Sequence, residues 1–374
     1  MKKDNQPKRN RSIVLHLVTS LDFGGIERRM EVVARNQQYS KNDLIFCAIG
    51  GGGETEKRLK SLGANVICLN KDVKIPNFFS VMALFRLFRR VRPQVVHTHG
   101  AEANFHGLIA AWLAHIPVRI GEEIGTPSHS KVAQWVFRFV YRFSQIVIGG
   151  SNPVISWLVS SREVPAKKVR KVHNPLELPS VRDRYTRDEV LRLCYVGRME
   201  AVKNPEILID VIQSLCCSGS PVEMWMIGDG SQRHMLEEKV KKADLGSYIK
   251  FFGYQENPFD WIKRCDVFVQ PSLAEGFSNA LVEAMGCGVP VIVTETGAAP
   301  EIVQHGVTGW LVKSGDVGSL VEAVIKANHL KPEDLVLMGK AARLSVENRF
   351  EPKKYIFELD KIYLGAVQVT RGGV

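Results

Sequence analysis

The sequence predicts an α/β protein made of two halves, each a parallel sheet with crossover helices. Short apolar runs of strand length alternate with amphipathic segments of helix length along most of the chain. The 374 residues exceed what one hydrophobic core usually reaches, which is about 250–300 residues. A turn-rich, charged stretch from His173 to Arg187 divides the apolar runs into two series. We therefore predict two domains with a linker in that stretch.

The predicted strands form the two series. In the first half they are Ile13–Thr19, Leu44–Ile49, Asn65–Leu69, Val95–Thr98, Val118–Gly121 and Gln145–Gly149. In the second half they are Arg192–Val196, Val222–Ile227, Ile249–Gly253, Asp266–Gln270, Val289–Thr294 and Gly309–Val312. The resulting division is a disordered basic tail over 1–10, a first domain over 11–175, a second over 176–348 and a helical segment over 349–374.

Composition narrows the class of protein. The 50 basic and 39 acidic residues give a net charge of +11, which suits an anionic ligand, an anionic membrane surface or nucleic acid. No helix-turn-helix, zinc or RNA-binding signature is present, so nucleic acid is not an expected partner. The seven cysteines form no C-x-x-C pair and indicate reduced thiols in the cytosol. No apolar run is long enough to span a bilayer, and the polar N-terminus is unlike a secretory signal.

The segment from Glu275 to Glu283 is the most informative part of the chain. It follows a predicted buried strand and a turn, and a helix is predicted to begin near Phe277. The free N–H groups at that helix start would form an anion site. On this helix the two carboxylates would lie on similar sides, roughly 12 Å apart along the axis. That span suits a sugar nucleotide, whereas the alternative is a capped surface helix with two solvated glutamates.

Other polar residues also follow predicted strands, where open parallel sheets bind their ligands. Arg198 and Lys203 follow the first strand of the second half and could clamp a diphosphate, or could be ordinary surface bases. Gly24-Gly25 follows the first strand of the chain and allows close backbone approach to a phosphate or acceptor, or makes a plain turn.

These motifs occur in an order that resembles a known family. They are Gly24-Gly25, Val96-His97-Thr98-His99-Gly100, Gly197-Arg198 with Lys203, Gly228-Asp229-Gly230, Glu275 with Glu283, and the small-residue run 284–292. Together they resemble the retaining, nucleotide-sugar-dependent glycosyltransferases of family 4. The resemblance covers nearly the whole chain and is more specific in the second half. It implies the GT-B fold, in which two Rossmann-like domains face each other across a cleft. The first domain would bind the acceptor and the second the nucleotide sugar, and the helix over 349–374 would cross back onto the first domain.

The resemblance also implies roles for the donor side. Arg198 and Lys203 would hold the diphosphate, Glu275 would orient the donor sugar, and Glu283 would hold the ribose hydroxyls. Glu275, Arg198 and Lys203 form the implied catalytic set. Further donor contacts are implied at Gly25, Gly228, Tyr254, Gly276, Phe277, Ser278 and Asn279. Transfer would retain the anomeric configuration by same-face attack within an ion pair. No Asp-x-Asp is present, so neither a metal nor another cofactor is expected.

The acceptor side departs from the family pattern. Many members carry a histidine in the loop after the fifth strand, where this chain has Glu122 and Glu123. Either glutamate could accept a hydrogen bond from the acceptor or the donor sugar, or could be structural and pair with an arginine. His97 and His99 are expected to face opposite ways, one in the core and His99 nearer the site. Gly24, His99, Glu122 and Glu123 are the acceptor-side candidates.

Two basic-aromatic stretches, Phe78–Arg92 and Val132–Phe143, indicate either contact with an anionic membrane or core helices with a solvated basic edge. With the resemblance they imply a cytoplasmic enzyme, peripheral on the inner face of the membrane. It would glycosylate a saccharide or lipid-linked acceptor in bacterial polysaccharide, lipopolysaccharide or glycolipid synthesis. The alternatives are a sugar-nucleotide epimerase or another GT-B-fold enzyme such as a phosphorylase, and a non-catalytic basic membrane or nucleic-acid binder.

Overall fold

The computed structural model describes residues 11–22, 24–125, 129–181, 190–217 and 219–371. The predicted disordered tail over 1–10 and the last part of the predicted linker lie outside these ranges. The chain divides into two compact units. The first unit contains the residues up to Gly150, Val154–Pro175 and the segment from Pro352 onward. The second contains Ser151–Pro153 and Leu176–Glu351.

The first unit is built on a seven-stranded parallel sheet. Its strands are β1 (Ile13–Val18), β2 (Asp43–Ala48), β3 (Asn65–Cys68), β4 (Val95–His99), β5 (Val118–Glu123), β6 (Ile146–Gly149) and β7 (Val169–Lys171), in the order β3-β2-β1-β4-β5-β6-β7. The first six correspond to the predicted strands. The seventh was missed because only Val169 of its three residues is buried, which leaves no apolar run to read.

Helices connect these parallel strands, as parallel pairing requires. They are α1 (Gly25–Arg35), α2 (Glu54–Ser61), α3 (Phe78–Val91), α4 (Ala101–Leu113), α5 (Lys131–Val140) and α6 (Asn152–Ser160). Helix α4 packs against both β4 and β5. Gly107 makes that approach possible, since a Cβ there would lie 2.4 Å from Leu17 Cδ2 and 2.6 Å from Thr98 Cγ2.

The second unit is a six-stranded parallel sheet in the order β10-β9-β8-β11-β12-β13. The strands are β8 (Leu191–Val196), β9 (Val222–Ile227), β10 (Ile249–Gly253), β11 (Val267–Gln270), β12 (Val291–Thr294) and β13 (Gly309–Val312). The helices are α7 (Ile207–Cys217), α8 (Arg233–Lys242), α9 (Phe259–Arg264), α10 (Asn279–Gly286), α11 (Ala299–Ile302), α12 (Val317–His329) and α13 (Pro332–Glu347). All six strands lie where the apolar runs predicted them. The two parallel sheets confirm the α/β prediction of two Rossmann-like domains.

The last helix, α14 (Pro352–Arg371), belongs to the first unit. Its side chains Tyr355, Ile356, Leu359 and Tyr363 are buried in one core cluster with residues of the first sheet, such as Val14. Asp360, on the same helix, is also buried and accepts hydrogen bonds from the Lys41 backbone N–H at 2.7 Å and Asn42 Nδ2 at 2.6 Å. The end of the chain therefore completes the core of the unit in which the chain begins.

Across the described ranges, no helix combines the length and apolar character needed to cross a bilayer.

Candidate active site

Three loops at the carboxyl ends of neighbouring strands form a polar region in the second unit. They follow β8, β9 and β11, which lie side by side around the middle of the sheet. The Leu273 N–H donates to the Val202 carbonyl at 2.9 Å, and the Met199 N–H donates to the Asp229 carbonyl at 2.8 Å. These backbone bonds join the β11 loop to the β8 loop and the β8 loop to the β9 loop. The region therefore lies at the carboxyl edge of the sheet, where open parallel sheets generally bind their ligands.

Lys203 and Glu275 meet directly in this region. The Lys203 Nζ forms an ion pair with the Glu275 carboxylate, and both side chains keep some solvent access, at 22% and 14% exposure. Gln270, the last residue of β11, donates to the same carboxylate at 3.3 Å. Ser278 in turn donates to Gln270 Oε1 at 2.6 Å. Sequence reasoning missed Gln270, although a single amide ending the apolar strand Val267-Phe268-Val269 was a usable signal.

The start of α10 differs from the prediction. The helix begins at Asn279, because Ser278 caps it by accepting a hydrogen bond from the Leu281 N–H at 3.2 Å. Glu275 therefore lies in the preceding loop, and the inference that both glutamates share one helix was wrong. Glu283 does lie on α10, where it is buried at 2% exposure.

The other predicted donor residues occupy the same edge with different surroundings. Arg198 precedes Lys203 on the β8 loop and has an exposed side chain. Gly228 has a φ of +132°, and a Cβ there would lie 2.0 Å from the Gly197 carbonyl oxygen, so the β9 turn requires glycine. The Phe277 ring packs 5.5 Å from the Phe350 ring. Tyr254 follows β10, the edge strand, and is 70% exposed.

Gly297 was not predicted and bears directly on the Glu275 loop. It follows β12 with a φ of +54°, and a Cβ there would lie 2.0 Å from the Glu275 carbonyl oxygen. The neighbouring Ala298 N–H donates to the Gly276 carbonyl at 3.0 Å. The turn after β12 thus supports the backbone that carries Glu275.

In the first unit, the acceptor-side candidate Glu122 is wholly buried. Arg29 of α1 reaches its Oε1 at 2.5 Å, and the same guanidinium nitrogen donates to Asn174 Oδ1 at 2.9 Å. Burial alone would raise the pKa of Glu122, but the charge of Arg29 and the hydrogen bonds of His97 and His99 together outweigh it and hold that pKa well below its usual range. Of the two interpretations left open by the sequence, pairing with an arginine is the one that the structure shows. Gly24 precedes the first turn of α1, and Gly25 begins that helix.

His97 and His99 do not face opposite ways, and that prediction was wrong. Both lie within β4, where residues two apart share a face, and their ring centroids are 4.1 Å apart. Both rings are fully buried. His99 Nδ1 lies 2.5 Å from Glu122 Oε2, and its Nε2 lies 3.0 Å from Nδ1 of His16 on β1. Burial and the neighbouring His97 lower the pKa of His99 to about 3, so the ring is neutral near pH 7.

The three imidazoles of His16, His97 and His99 lie close enough to suggest a metal centre. Two of these nitrogens already have other partners, however, since His97 Nδ1 contacts the Tyr363 hydroxyl at 2.8 Å and His99 Nδ1 contacts Glu122. The Arg29 guanidinium also lies 3.1 Å from His99 Nδ1 and would repel a cation. We interpret the cluster as a buried polar network that joins β1, β4, β5, α1 and α14.

Glu123 is likewise buried and lies in a separate network. Its carboxylate accepts hydrogen bonds from the Tyr141 hydroxyl and from Asn104 Nδ2, the latter at 3.0 Å. Burial raises the pKa of Glu123 to about 7, because the hydrogen bonds offset only part of the lost hydration. Glu123 therefore holds α4, β5 and the end of α5 together.

Each of the two basic-aromatic stretches has a buried and an exposed part. In α3, Leu84, Leu87 and Phe88 are buried, whereas Phe78 and Phe79 at the start of the helix are 69% and 78% exposed. In α5, Val132 and Trp135 are likewise among the most exposed apolar side chains of the first unit.

Comparison with protein families gives one match in each half of the chain. Residues 23–178 match the model described as Glycosyltransferase Family 4. Residues 182–345 match the model described as Glycosyl transferases group 1. The boundary between the two matches falls within the predicted linker.

Two curated relatives and one solved structure are similar to the chain. It is 25% identical over 322 residues to the UDP-Gal:alpha-D-GlcNAc-diphosphoundecaprenol alpha-1,3-galactosyltransferase of Escherichia coli, covering 80% of this chain and 81% of that protein. It is 31% identical over 184 residues to the N-acetyl-alpha-D-glucosaminyl L-malate synthase of Bacillus anthracis, covering 48% of this chain and 47% of that protein, so this match spans about half of each. The crystal structure of Anabaena Alr3699/HepE in complex with UDP superposes with a TM-score of 0.82 at 19% identity, covering 94% of this chain and 99% of that one. At that identity the structural match shows the GT-B fold alone.

Proposed function

We propose that this chain, a glycosyltransferase, is of the family 4 type, and we propose a donor, a stereochemical course and an acceptor class for it. It transfers a sugar from a nucleotide-sugar donor, with retention of anomeric configuration, to a saccharide or lipid-linked acceptor. The products belong to bacterial cell-surface polysaccharide or glycolipid synthesis. The enzyme acts in the cytoplasm, peripheral on the inner face of the membrane.

The observation that carries this proposal is the Lys203–Glu275 ion pair at the carboxyl edge of the second sheet. A lysine ammonium and the exposed guanidinium of Arg198 on the same loop supply positive charge for a diphosphate. Glu275 supplies an acceptor for the hydroxyls of the donor sugar, and Glu283 supplies one for the ribose. Since cationic side chains can neutralise the leaving group, the proposed reaction needs no metal ion.

The proposed transfer proceeds without a covalent intermediate between the sugar and the enzyme. The bond from the anomeric carbon to the diphosphate oxygen breaks, and Lys203 with Arg198 stabilises the charge that develops on the diphosphate. The acceptor oxygen forms its bond to the anomeric carbon on the same face, and its proton passes to the departing diphosphate. Glu275 orients the sugar and stabilises positive charge on the ring. This role differs from that of the paired carboxyl groups of retaining glycosidases, which lie about 5 Å apart and act on the carbon.

The names of the similar proteins support a uridine nucleotide and a lipid-linked acceptor. The E. coli relative is named for UDP-Gal and a diphosphoundecaprenol acceptor, and the Anabaena structure contains UDP. We therefore propose UDP-sugars as the first donors to test and a polyprenyl-diphosphate saccharide as the first acceptor.

A thermal-shift panel of UDP-, GDP- and ADP-sugars tests the donor. A ligand that binds the folded state raises the apparent stability by about 2.7 kcal/mol at a hundred times its Kd. We expect one nucleotide class to raise Tm, and the Lys203→Met variant to lose most of that shift. Product analysis by NMR then reports the anomeric configuration and detects any epimerised donor. Epimerisation without transfer, or an inverted product, would contradict the proposal.

A further inference from the structure

Helix α5 presents an apolar face to solvent. Val132, Trp135 and Phe139 are 74%, 71% and 56% exposed, and their spacing of three and four residues places them on one side of the helix. On the other side, Phe137 and Val140 are buried in a core cluster of the first unit. The exposed side chains are therefore held on a helix that the fold already fixes.

This face continues onto the end of α4. The Phe143 ring lies 5.2 Å from the Phe139 ring and 4.8 Å from the Trp112 ring, so it links the two helices. Trp112 and Leu113 are themselves exposed. We call the exposed set Trp112, Leu113, Val132, Trp135 and Phe139 the α4–α5 face. A contiguous apolar surface rimmed by polar groups marks an interaction site more often than scattered exposed residues do.

Positive charge flanks the α4–α5 face. Lys131, Arg138 and Arg142 are exposed, and residues 131–143 contain no aspartate or glutamate. The Arg138 guanidinium carbon lies 5.5 Å from the centre of the Trp135 ring, within cation–π range. An aromatic face with cations beside it and no acid within its helix complements an anionic surface that has an apolar interior.

A cavity of about 350 Å³ lies beside these cations. Arg138, Arg142 and Arg162 are among its lining residues, and guanidinium groups bind phosphate oxygens in a bidentate manner. Two other charged residues of the lining have defined roles: Lys168 donates to the Ser144 carbonyl at 2.6 Å, and Glu163 pairs with His129 at 2.9 Å. The arginines therefore extend the positive charge beside the α4–α5 face into a cavity that could take a lipid headgroup.

We infer that the α4–α5 face docks the first unit onto an anionic lipid bilayer. Trp135 and Phe139 enter the boundary between headgroups and acyl chains, and Arg138 and Arg142 lie at the level of the phosphates. The inference rests on the proposed function only in that a lipid-linked acceptor would be met at this surface. Docking itself requires neither donor nor acceptor.

Co-sedimentation with lipid vesicles tests the surface directly. The full chain is mixed with vesicles of phosphatidylcholine alone or of phosphatidylcholine with phosphatidylglycerol, across a salt series. We expect binding to the anionic vesicles that weakens with salt. The double variant Trp135→Ser/Phe139→Ser should weaken binding by roughly tenfold or more. Arg138→Gln/Arg142→Gln should weaken it by roughly fivefold for each charge.

The matched control is Leu337→Ser/Leu344→Ser. Both leucines lie on α13 of the second unit and are 61% and 70% exposed, so this variant removes comparable apolar surface elsewhere. We expect it to bind vesicles like the wild type. Circular dichroism and Tm verify that each variant is folded. Quenching of tryptophan fluorescence by brominated lipids, reduced in Trp135→Phe, would place the face at the acyl boundary.

Three results would overturn the inference. They are no binding to anionic vesicles at low salt, equal loss of binding in the α13 control, and a dimer in solution that Trp135→Ser/Phe139→Ser dissociates. The last would assign the face to a second copy of the chain. Donor hydrolysis in solution, measured without lipid, distinguishes failure of the docking inference from failure of the proposed function. Hydrolysis without vesicle binding leaves the proposed sugar transfer standing but removes the proposed membrane location, and vesicle binding without nucleotide recognition leaves the docking surface standing.

Discussion

Lys203 and Glu275 form an ion pair although they are 72 residues apart in the chain. Lys203 follows β8 and Glu275 follows β11, and these two strands are neighbours in the sheet. The contact therefore depends on the crossover topology of the second unit. It holds a cation and an anion at one point of the carboxyl edge, where a donor would place its diphosphate and its sugar.

We expect Lys203→Ala and Glu275→Ala each to lower kcat/KM by about 10²–10³ while the fold persists. The reason is that each removes a charge positioned for the transition state. Steady-state transfer assays measure the loss, and circular dichroism verifies the fold. Lys326→Ala is the control, because Lys326 forms an exposed pair with Glu322 on α12. Near-normal transfer by either site variant would remove that residue from the proposed mechanism.

Gly297→Ala should lower transfer without unfolding the second unit. A Cβ at this position would lie 2.0 Å from the Glu275 carbonyl oxygen, so the loop that carries the carboxylate must shift. A misplacement of about 1 Å can cost on the order of 10²-fold in rate.

Gly306→Ala is the matched control for Gly297→Ala. Its φ of +76° imposes similar backbone strain, but a Cβ there would meet no atom within 4 Å. We expect this variant to lose some stability and keep its transfer rate. Equal losses of rate in both variants would show that backbone strain, and not contact with the Glu275 loop, explains the effect.

The strands were predictable from the sequence because the strands of parallel sheets are buried on both faces and read as apolar runs. Lys203 and Glu275 were each found by motif, but their contact was not, since it spans several crossovers. His16 was missed for a similar reason: it meets His99 only through the pairing of β1 with β4. Pairing of Glu122 with an arginine was one of two predicted alternatives, but the sequence could not identify the partner, because Arg29 lies 93 residues away.

Asp360 links α14 to the first unit, and its loss should destabilise that unit. Asp360 is buried and accepts hydrogen bonds from three groups, of which the Asn42 amide is 2.6 Å away and the Ser40 hydroxyl 3.1 Å. We expect Asp360→Ala to cost about 3 kcal/mol, because buried donors are left without their charged acceptor. Urea unfolding measures the change. Glu54→Ala on α2, which removes a half-exposed carboxylate, is the control and should cost less than about 1 kcal/mol. A similar small cost for Asp360→Ala would show that α14 is held by its apolar contacts alone.

The buried network of His16, His99 and Glu122 should make the first unit sensitive to acid. Burial lowers the pKa of His99 from 6.5 to about 3, and burial also lowers the pKa of His16 well below 6.5. Below pH 6.5 the unfolded chain therefore binds protons that the folded chain excludes, and stability falls as the pH decreases toward 3. Each such histidine adds a slope of about 1.4 kcal/mol per pH unit. The pKa of Glu122 is also held low, because Arg29 and the hydrogen bonds of His97 and His99 together outweigh burial, so its contribution is lost as the pH falls below about 4.5. Hydrogen exchange of the β1 and β4 amides between pH 7.5 and pH 4.5 measures the local stability.

His16→Gln should reduce the slope of stability against pH, whereas His234→Gln, which replaces an exposed histidine on α8, should leave it unchanged. A slope that His16→Gln does not alter would show that this network does not carry the acid sensitivity.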